Sequence, residues 1–242
     1  MNKTRPSTPA ATRLYAVGDI HGRLDLLDRL LAMIEADATN HADKKGKLIF
    51  LGDYVDRGLD SRGVIERLTG GFAAGLAPIF LRGNHDNMLL DMIKGDLSVA
   101  PVWLQLGGTA TAASYGLSVF GGVKENKMDV LHKSLVEKVP PAHRAFLEDT
   151  LFAVTYGDYY FVHAGVRAGI SLEKQKPQDQ MWVRGDFLAS TADFGKVVVH
   201  GHTISPEPDI RANRVGIDTG AYASGHLTCL ILDGTERTFL QT

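Results

Sequence analysis

Short apolar runs alternate with helical periodicity through the first third of the chain. "RLYAV" at residues 13–17 reads as a strand and gives way to "GDIHG". Leu27, Leu30, Leu31 and Ile34 then recur at i, i+3, i+4 and i+7, one face of a helix that Asp25 favours near its start. A second run, "KLIFL", enters "GDYVDRG", and Ser61 is placed to cap a helix carrying Val64, Ile65 and Leu68 before "GGFAAG" breaks it. A third, "PIFL", enters "RGNHD" and a short helix around "NMLLDMI". Strand and helix alternating in this way predict parallel βαβ units.

Residues 95–150 break the rhythm. "WLQLGGTATAASYG" and "VLHKSLVEKVPPAHRAFLED" read as helices and loops laid outside the sheet, with Pro140 and Pro141 marking a helix boundary. The last third returns to short strands, "YYFV", "KVVV", "RVGI" and "LTCLIL", close together and without helical patterns between them. Antiparallel or mixed pairing follows, so the expected class is α/β with two sheets. No internal repeat or long polar linker divides the chain. The expectation is one domain over 14–242 with a helical insertion at 95–150, preceded by a leader, 1–13, whose Pro, Ser and Thr content predicts disorder.

Composition narrows the function classes. Of 242 residues, 44% are hydrophobic and 22% charged, enough for a packed core. The formal net charge of −2 offers no basic footprint for nucleic acid and no cationic face for a membrane. No apolar run approaches the roughly 20 residues of a spanning helix, and the leader lacks the apolar centre of a secretory signal. A cytoplasmic location is the expectation. The single cysteine, Cys229, excludes an intrachain disulfide and reads as a small buried hydrophobe.

The chemistry lies at the strand ends. Five of them finish in polar residues: Asp19 and His21; Asp53, Asp56 and Arg57; Asn84, His85 and Asp86; His163; and His200 with His202. Open α/β sheets place their sites outside the carboxyl ends of strands, so these groups can converge. Carboxylate, imidazole and amide oxygen, without thiolate, suit Mn, Fe or Zn. Asp53 is placed to bridge two ions, and a pair of cations about 3.5–4 Å apart holds and activates water for phosphoryl displacement. Arg57 would then face a phosphate. A lone Asp after a strand is an ordinary turn residue, but a polar cluster behind a glycine at successive strand ends is not explained that way. His41, His132 and His143 sit in polar or helical stretches and read as surface residues, while His200 and His226 carry no assigned role.

In order, "GDIHG", "GDYVDRG", "RGNHD", "VHAG" and "VHGHT" resemble the signature of the phosphoprotein phosphatase family of metallophosphoesterases, nearest its bacterial and lambda-phage-type serine/threonine phosphatases. The similarity runs over 14–233 and takes in "WLQLGG", "SYG", "MWVRGDF" and "RVGIDTGAYASGHLTCLILDG". It implies a central β-sandwich flanked by helices, with two divalent metals at the carboxyl ends of the strands, Mn²⁺ first and Fe or Zn as alternatives. Asp19, His21 and Asp53 would hold one ion; Asp53, Asn84, His163 and His202 would hold the other. Arg57, Arg82 and Arg184 would grip the phosphate, with Asn84 also touching it, and His85 paired with Asp56 would protonate the leaving alkoxide.

The implied activity is phosphomonoester hydrolysis, as a serine/threonine protein phosphatase, by in-line attack of water activated between the cations. A dinucleoside polyphosphate hydrolase would share every metal ligand and is the alternative; an inactive phospho-binding protein is a more remote one. The implied partner is a phosphorylated protein or a small phosphoester, and no regulatory subunit is indicated. Asp86 stands where the family usually has Glu, so a supporting hydrogen bond is expected to be lost or rerouted.

Overall fold

Alternation along β1 (Thr12–Val17) sorts the interior into layers. All six residues of this strand are buried, but Leu14 and Ala16 face a second sheet while Tyr15 and Val17 face helices. A strand covered on both sides reads as an unbroken apolar run. The computed structural model describes residues 5–72, 75–118 and 125–242. Among them the first sheet has the order β10-β9-β1-β2-β3, with β2 (Lys45–Phe50), β3 (Ala77–Phe80), β9 (Thr228–Asp233) and β10 (Glu236–Gln241). The second has the order β4-β5-β6-β8-β7, with β4 (Ala153–Tyr156), β5 (Tyr159–Val162), β6 (Val197–His200), β7 (Asp209–Ile210) and β8 (Arg214–Gly216).

Both sheets are mixed. β1–β2 and β2–β3 pair in parallel, joined by the helices Leu24–Asn40 and Ser61–Thr69, whereas β9 runs antiparallel to β1 and β10. In the second sheet β5–β6 and β6–β8 are parallel and the two edges antiparallel. Ile49, Leu51, Phe161, Val199 and Leu230 pack with Leu14 between the sheets. Each such side chain contributes about 1.5–3 kcal/mol by leaving water. The α/β class with two mixed sheets flanked by helices is as expected.

The segment between Lys94 and β4 is less peripheral than its pattern suggested. Trp103, Ala112, Tyr115, Leu131, Leu135 and Leu147 join the core on the outer face of the first sheet. Residues 119–124 of this insertion, Ala73 and Ala74 of the "GGFAAG" break, and residues 1–4 lie outside the described ones. The expectation of a disordered leader fails for the part described. Ser7 N–H donates to Asp158 at 3.0 Å and Thr8 N–H to the Gly234 carbonyl at 3.0 Å, so the second sheet and the β9–β10 turn pin the chain before β1 begins. Cys229 is fully buried, and burial raises its thiol above the ordinary value. Among the described residues no helix is long and apolar enough to cross a membrane.

Candidate active site

The strands leave the sandwich through turns that ordinary residues avoid. His21, Asp53, Asp56, Arg57 and His202 all have positive φ, at 46°, 52°, 72°, 69° and 64°. Left-handed backbone at non-glycine residues is costly and gathers where a site must aim its side chains. Asp86 holds the turn at Asp53. Its carboxylate accepts from Asp53 N–H at 2.7 Å, Tyr54 N–H at 2.9 Å and Gly83 N–H at 2.9 Å. Asp therefore reaches its backbone partners, and the expected loss of support is not seen at these three donors. Gly83 is required beside it, because a Cβ there would lie 2.0 Å from Asp53 Oδ1.

Backbone carbonyls fix the imidazole tautomers. His21 Nδ1 lies 2.8 Å from the Val55 carbonyl and His163 Nδ1 lies 2.9 Å from the Leu51 carbonyl. A carbonyl only accepts, so both Nδ1 atoms carry the proton and the neutral ring presents a bare Nε2. These two Nε2 atoms face Asp53 Oδ2 at 3.4 and 3.5 Å. His163 Nε2 also meets Asn84 Oδ1 at 3.1 Å and His202 Nδ1 at 3.2 Å. Acceptors thus converge on acceptors in a place almost closed to water.

Two groups of potential ligands result, His21–Asp53–His85 and Asp53–His163–His202, sharing one carboxylate. Buried Asp19 Oδ1 and His202 Nε2 have no hydrogen-bond partner among the described residues. Burial drives His21 down to about 3 and His202 to about 2, and lowers His163 as well, so the rings keep their lone pairs. Burial opposes ionisation of Asp53, but His163, His85, His21 and His202 outweigh it and hold the carboxyl below its usual range. The donor set fits divalent cations. Asp19 donates no atom to either group of three; its Oδ2 accepts from His202 N–H at 3.0 Å, while burial and the neighbouring Asp218 raise its carboxyl above the ordinary value. A cation beside it would relieve that repulsion.

Next to these groups, His85 Nδ1 lies 2.7 Å from Asp56 Oδ2 and His85 Nε2 lies 3.1 Å from Arg57 Nη2. Burial opposes the charged form of His85, but Asp53 and Asp56 outweigh it and raise the ring above ordinary imidazole. Arg57 lies over the Tyr222 ring, 4.7 Å from its centroid, and Arg184 is exposed yet close enough to lower both His163 and His202.

Arg82 is not brought in, which corrects its expected phosphate contact. Its guanidinium donates to Thr150 Oγ1 at 2.8 Å and to the Leu147 and Glu148 carbonyls at 2.8 and 2.9 Å. Those carbonyls end the helix Pro141–Glu148 and need a donor. His200 turns into the core against Phe187, and His226 meets the Thr242 carbonyl at 3.0 Å. His143, expected at the surface, is buried against the Tyr115 hydroxyl at 2.9 Å. Ser61, expected to cap its helix, is instead the first residue after the Asp60 cap and reaches the site. Trp103, Thr111, Asp218 and Tyr222 reach it without having been singled out, from the stretches "WLQLGGTATAASYG" and "GIDTGAY".

Two groups of side chains able to hold a cation, sharing one carboxylate, are the equipment of a metallophosphoesterase. Comparison with known families gives the same class: residues 12–228 match the calcineurin-like phosphoesterases, and the chain belongs to that family. It is 30% identical over 235 residues to the asymmetrical bis(5'-nucleosyl)-tetraphosphatase PrpE of Halalkalibacterium halodurans, covering 88% of this chain and 87% of the relative. Its identity to PrpE of Bacillus subtilis is 28% over 229 residues, with 88% and 87% covered. A crystal structure assigned provisionally as a diadenosine tetraphosphatase shares the fold, with a TM-score of 0.67, 20% identity and 98% of each chain covered. A cold-active protein tyrosine phosphatase shares it more loosely, at a TM-score of 0.57 and 16% identity over 95% of this chain and 78% of that one. The serine/threonine phosphatase resemblance is thus supported only as far as the wider family.

Proposed function

We propose that the protein hydrolyses dinucleoside polyphosphates, splitting a phosphoanhydride bond of a diadenosine tetraphosphate-like substrate. The observation that carries this reading is the pair of relatives bearing that activity in their names and aligned over 87% of their length. The site's surroundings are compatible. A cavity of about 660 Å³ opens beside Arg57 and is bordered by Tyr222, Arg23 and Leu59, room for a nucleoside next to a phosphate chain.

Asp19, His21 and Asp53 would hold one divalent cation and Asp53, Asn84, His163 and His202 the other, with Mn²⁺ the best chemical match. When bound, the cations supply Lewis acidity and a water made nucleophilic near neutral pH. The chain's own groups do the rest. Arg57 and Arg184 receive the phosphoryl oxygens, and Arg57 can leave His85 Nε2 to do so. Asp56 holds His85 so that its Nε2 faces the site and can deliver a proton to the departing oxygen.

Protein loaded with Mn²⁺ should turn over diadenosine tetraphosphate to ATP and AMP, the unequal products that the relatives' name describes. Faster turnover of a phosphoserine or phosphotyrosine peptide than of the dinucleotide would overturn the reading.

A further inference from the structure

The helical insertion grips the Asp56–His85 pair from behind. Thr111 Oγ1 donates to Asp56 Oδ1 at 2.6 Å, and Trp103 Nε1 donates to the same oxygen at 3.1 Å. His85 occupies the other oxygen. Thr111 Oγ1 also accepts from Asp56 N–H at 2.8 Å, and Ser61 Oγ accepts from that N–H at 3.0 Å. Asp56, Ser61 and Thr111 are all 0% exposed, so bulk solvent does not reach these bonds.

The insertion is shaped for this contact. Around an unbroken α-helix, Trp103 and Thr111 would point about 80° apart. Here the helical run breaks at Gly107, whose φ of 119° and ψ of 7° are not helical, and both side chains reach one carboxylate. Gly108 is needed because a Cβ there would sit 2.3 Å from the Trp103 ring. The carbonyls at this break also hold the next residue of the strand-end motif: Gly107 accepts from Arg57 N–H at 3.2 Å and Leu106 from Arg57 Nε at 3.4 Å.

We propose that Trp103 and Thr111 are positioning residues for proton delivery: by saturating Asp56 Oδ1 they lock the carboxylate, and through Oδ2 they fix the tautomer and aim of His85. This extends the reading of His85 as proton donor and rests on it. Without the two donors, a buried carboxylate oxygen would lose its partners and Asp56 would be free to turn away from the imidazole.

The test is a double-mutant cycle on the metal-loaded protein, read on glycerol phosphate, a poor leaving group, and on p-nitrophenyl phosphate, a good one. Thr111→Val removes the hydroxyl at nearly constant volume. It should lower kcat on glycerol phosphate by about 10–100-fold, as lost supporting bonds do. The loss on p-nitrophenyl phosphate should be much smaller, metal content unchanged, and Thr111→Ser should restore most of the rate. In a His85→Asn background, Thr111→Val should cost less than about twofold, since its target is gone. Trp103→Phe, run through the same cycle, gives an independent reading should the valine variant fold poorly. Equal losses from Thr111→Val with and without His85 would overturn the proposal. If His85→Asn itself slows both substrates alike, the proton-donor reading falls instead, while the coupling in the cycle still decides whether the insertion acts through His85.

Discussion

Asp86 holds Asp53 by its backbone: the carboxylate of one accepts the N–H of the other at 2.7 Å, both nearly closed to solvent. The shared carboxylate of the two ligand groups is therefore aimed by a second carboxylate, which also takes the N–H of Tyr54 and Gly83. Asp86→Ala would orphan three buried donors at about 1–3 kcal/mol each, less whatever relaxation recovers. The expected result is a clearly lower denaturant midpoint and metal affinity weakened by about 10–100-fold. Unchanged metal affinity in Asp86→Ala would show that Asp53 is aimed by something else.

Asp53 itself is the next test. Asp53→Asn removes the one carboxylate common to both groups and should lower bound metal and turnover together while the fold persists. Exhaustive chelation of the unmodified protein should abolish turnover, and added Mn²⁺ should restore it. Asp60→Asn is the matched control: Asp60 caps the helix Ser61–Thr69 by accepting from Gly63 N–H at 2.8 Å, and Asn caps equally well. Metal analysis on the two variants separates the roles; two ions retained at full occupancy in Asp53→Asn would rule out the bridge.

These site residues were legible because ligand chemistry is local. A strand that stops in Gly-Asp, with imidazoles two residues on or at the next strand's end, announces acceptors with no structural use, and the fold only has to gather them. Arg82 was not legible in that way. It belongs to the same run as Asn84 and His85, but its partners are helix-end carbonyls that the chain supplies only at the end of the insertion. His143 failed likewise, since its burial depends on Tyr115 from another helix. Substrate class was the least legible feature, because protein phosphoesters and dinucleotides call on the same ligands. The leader misled because composition predicts disorder only when nothing distant accepts its backbone bonds, and Asp158 and Gly234 do.

Away from the site, the fold carries a pH-dependent fastening. Arg13 contacts Asp37 with Nε at 2.8 Å and Nη2 at 3.0 Å, and reaches Asp233 with Nη1 at 2.7 Å; Tyr15 donates to Asp37, and Lys44 to Asp233. Burial opposes ionisation of both acids, but Arg13 with Tyr15 at Asp37, and Lys44 with Arg13 at Asp233, outweigh it and lower both carboxyls. A folded value below the unfolded one, about 3.9, adds stability that is complete well above that pH and is lost as pH falls through the folded value. The urea midpoint of Arg13→Met should therefore fall well short of the parent near neutrality, and the gap should narrow below about pH 4. A gap constant across that window would mean that Arg13 acts by packing, not charge.

His85 has two possible employments, and one variant separates them. Its Nε2 lies 4.0 Å from Asp53 Oδ2, close enough to place it in a ligand group with His21. Its Nδ1 is committed to Asp56, the contact on which the proposed proton donation rests, and Arg57 Nη2 holds Nε2 at 3.1 Å. A ligand's loss lowers metal content and slows every substrate. A proton donor's loss leaves the metals in place and matters in proportion to how badly the leaving oxygen departs, typically 10²–10⁴-fold for poor leaving groups. An alkoxide departs badly, p-nitrophenolate departs unaided, and the phosphate of a nucleotide lies between. His85→Asn should keep its metals, lose kcat steeply on glycerol phosphate, moderately on diadenosine tetraphosphate and least on p-nitrophenyl phosphate. Metal loss with a uniform slowing would assign His85 to the metal, and the proton would then have to come from elsewhere.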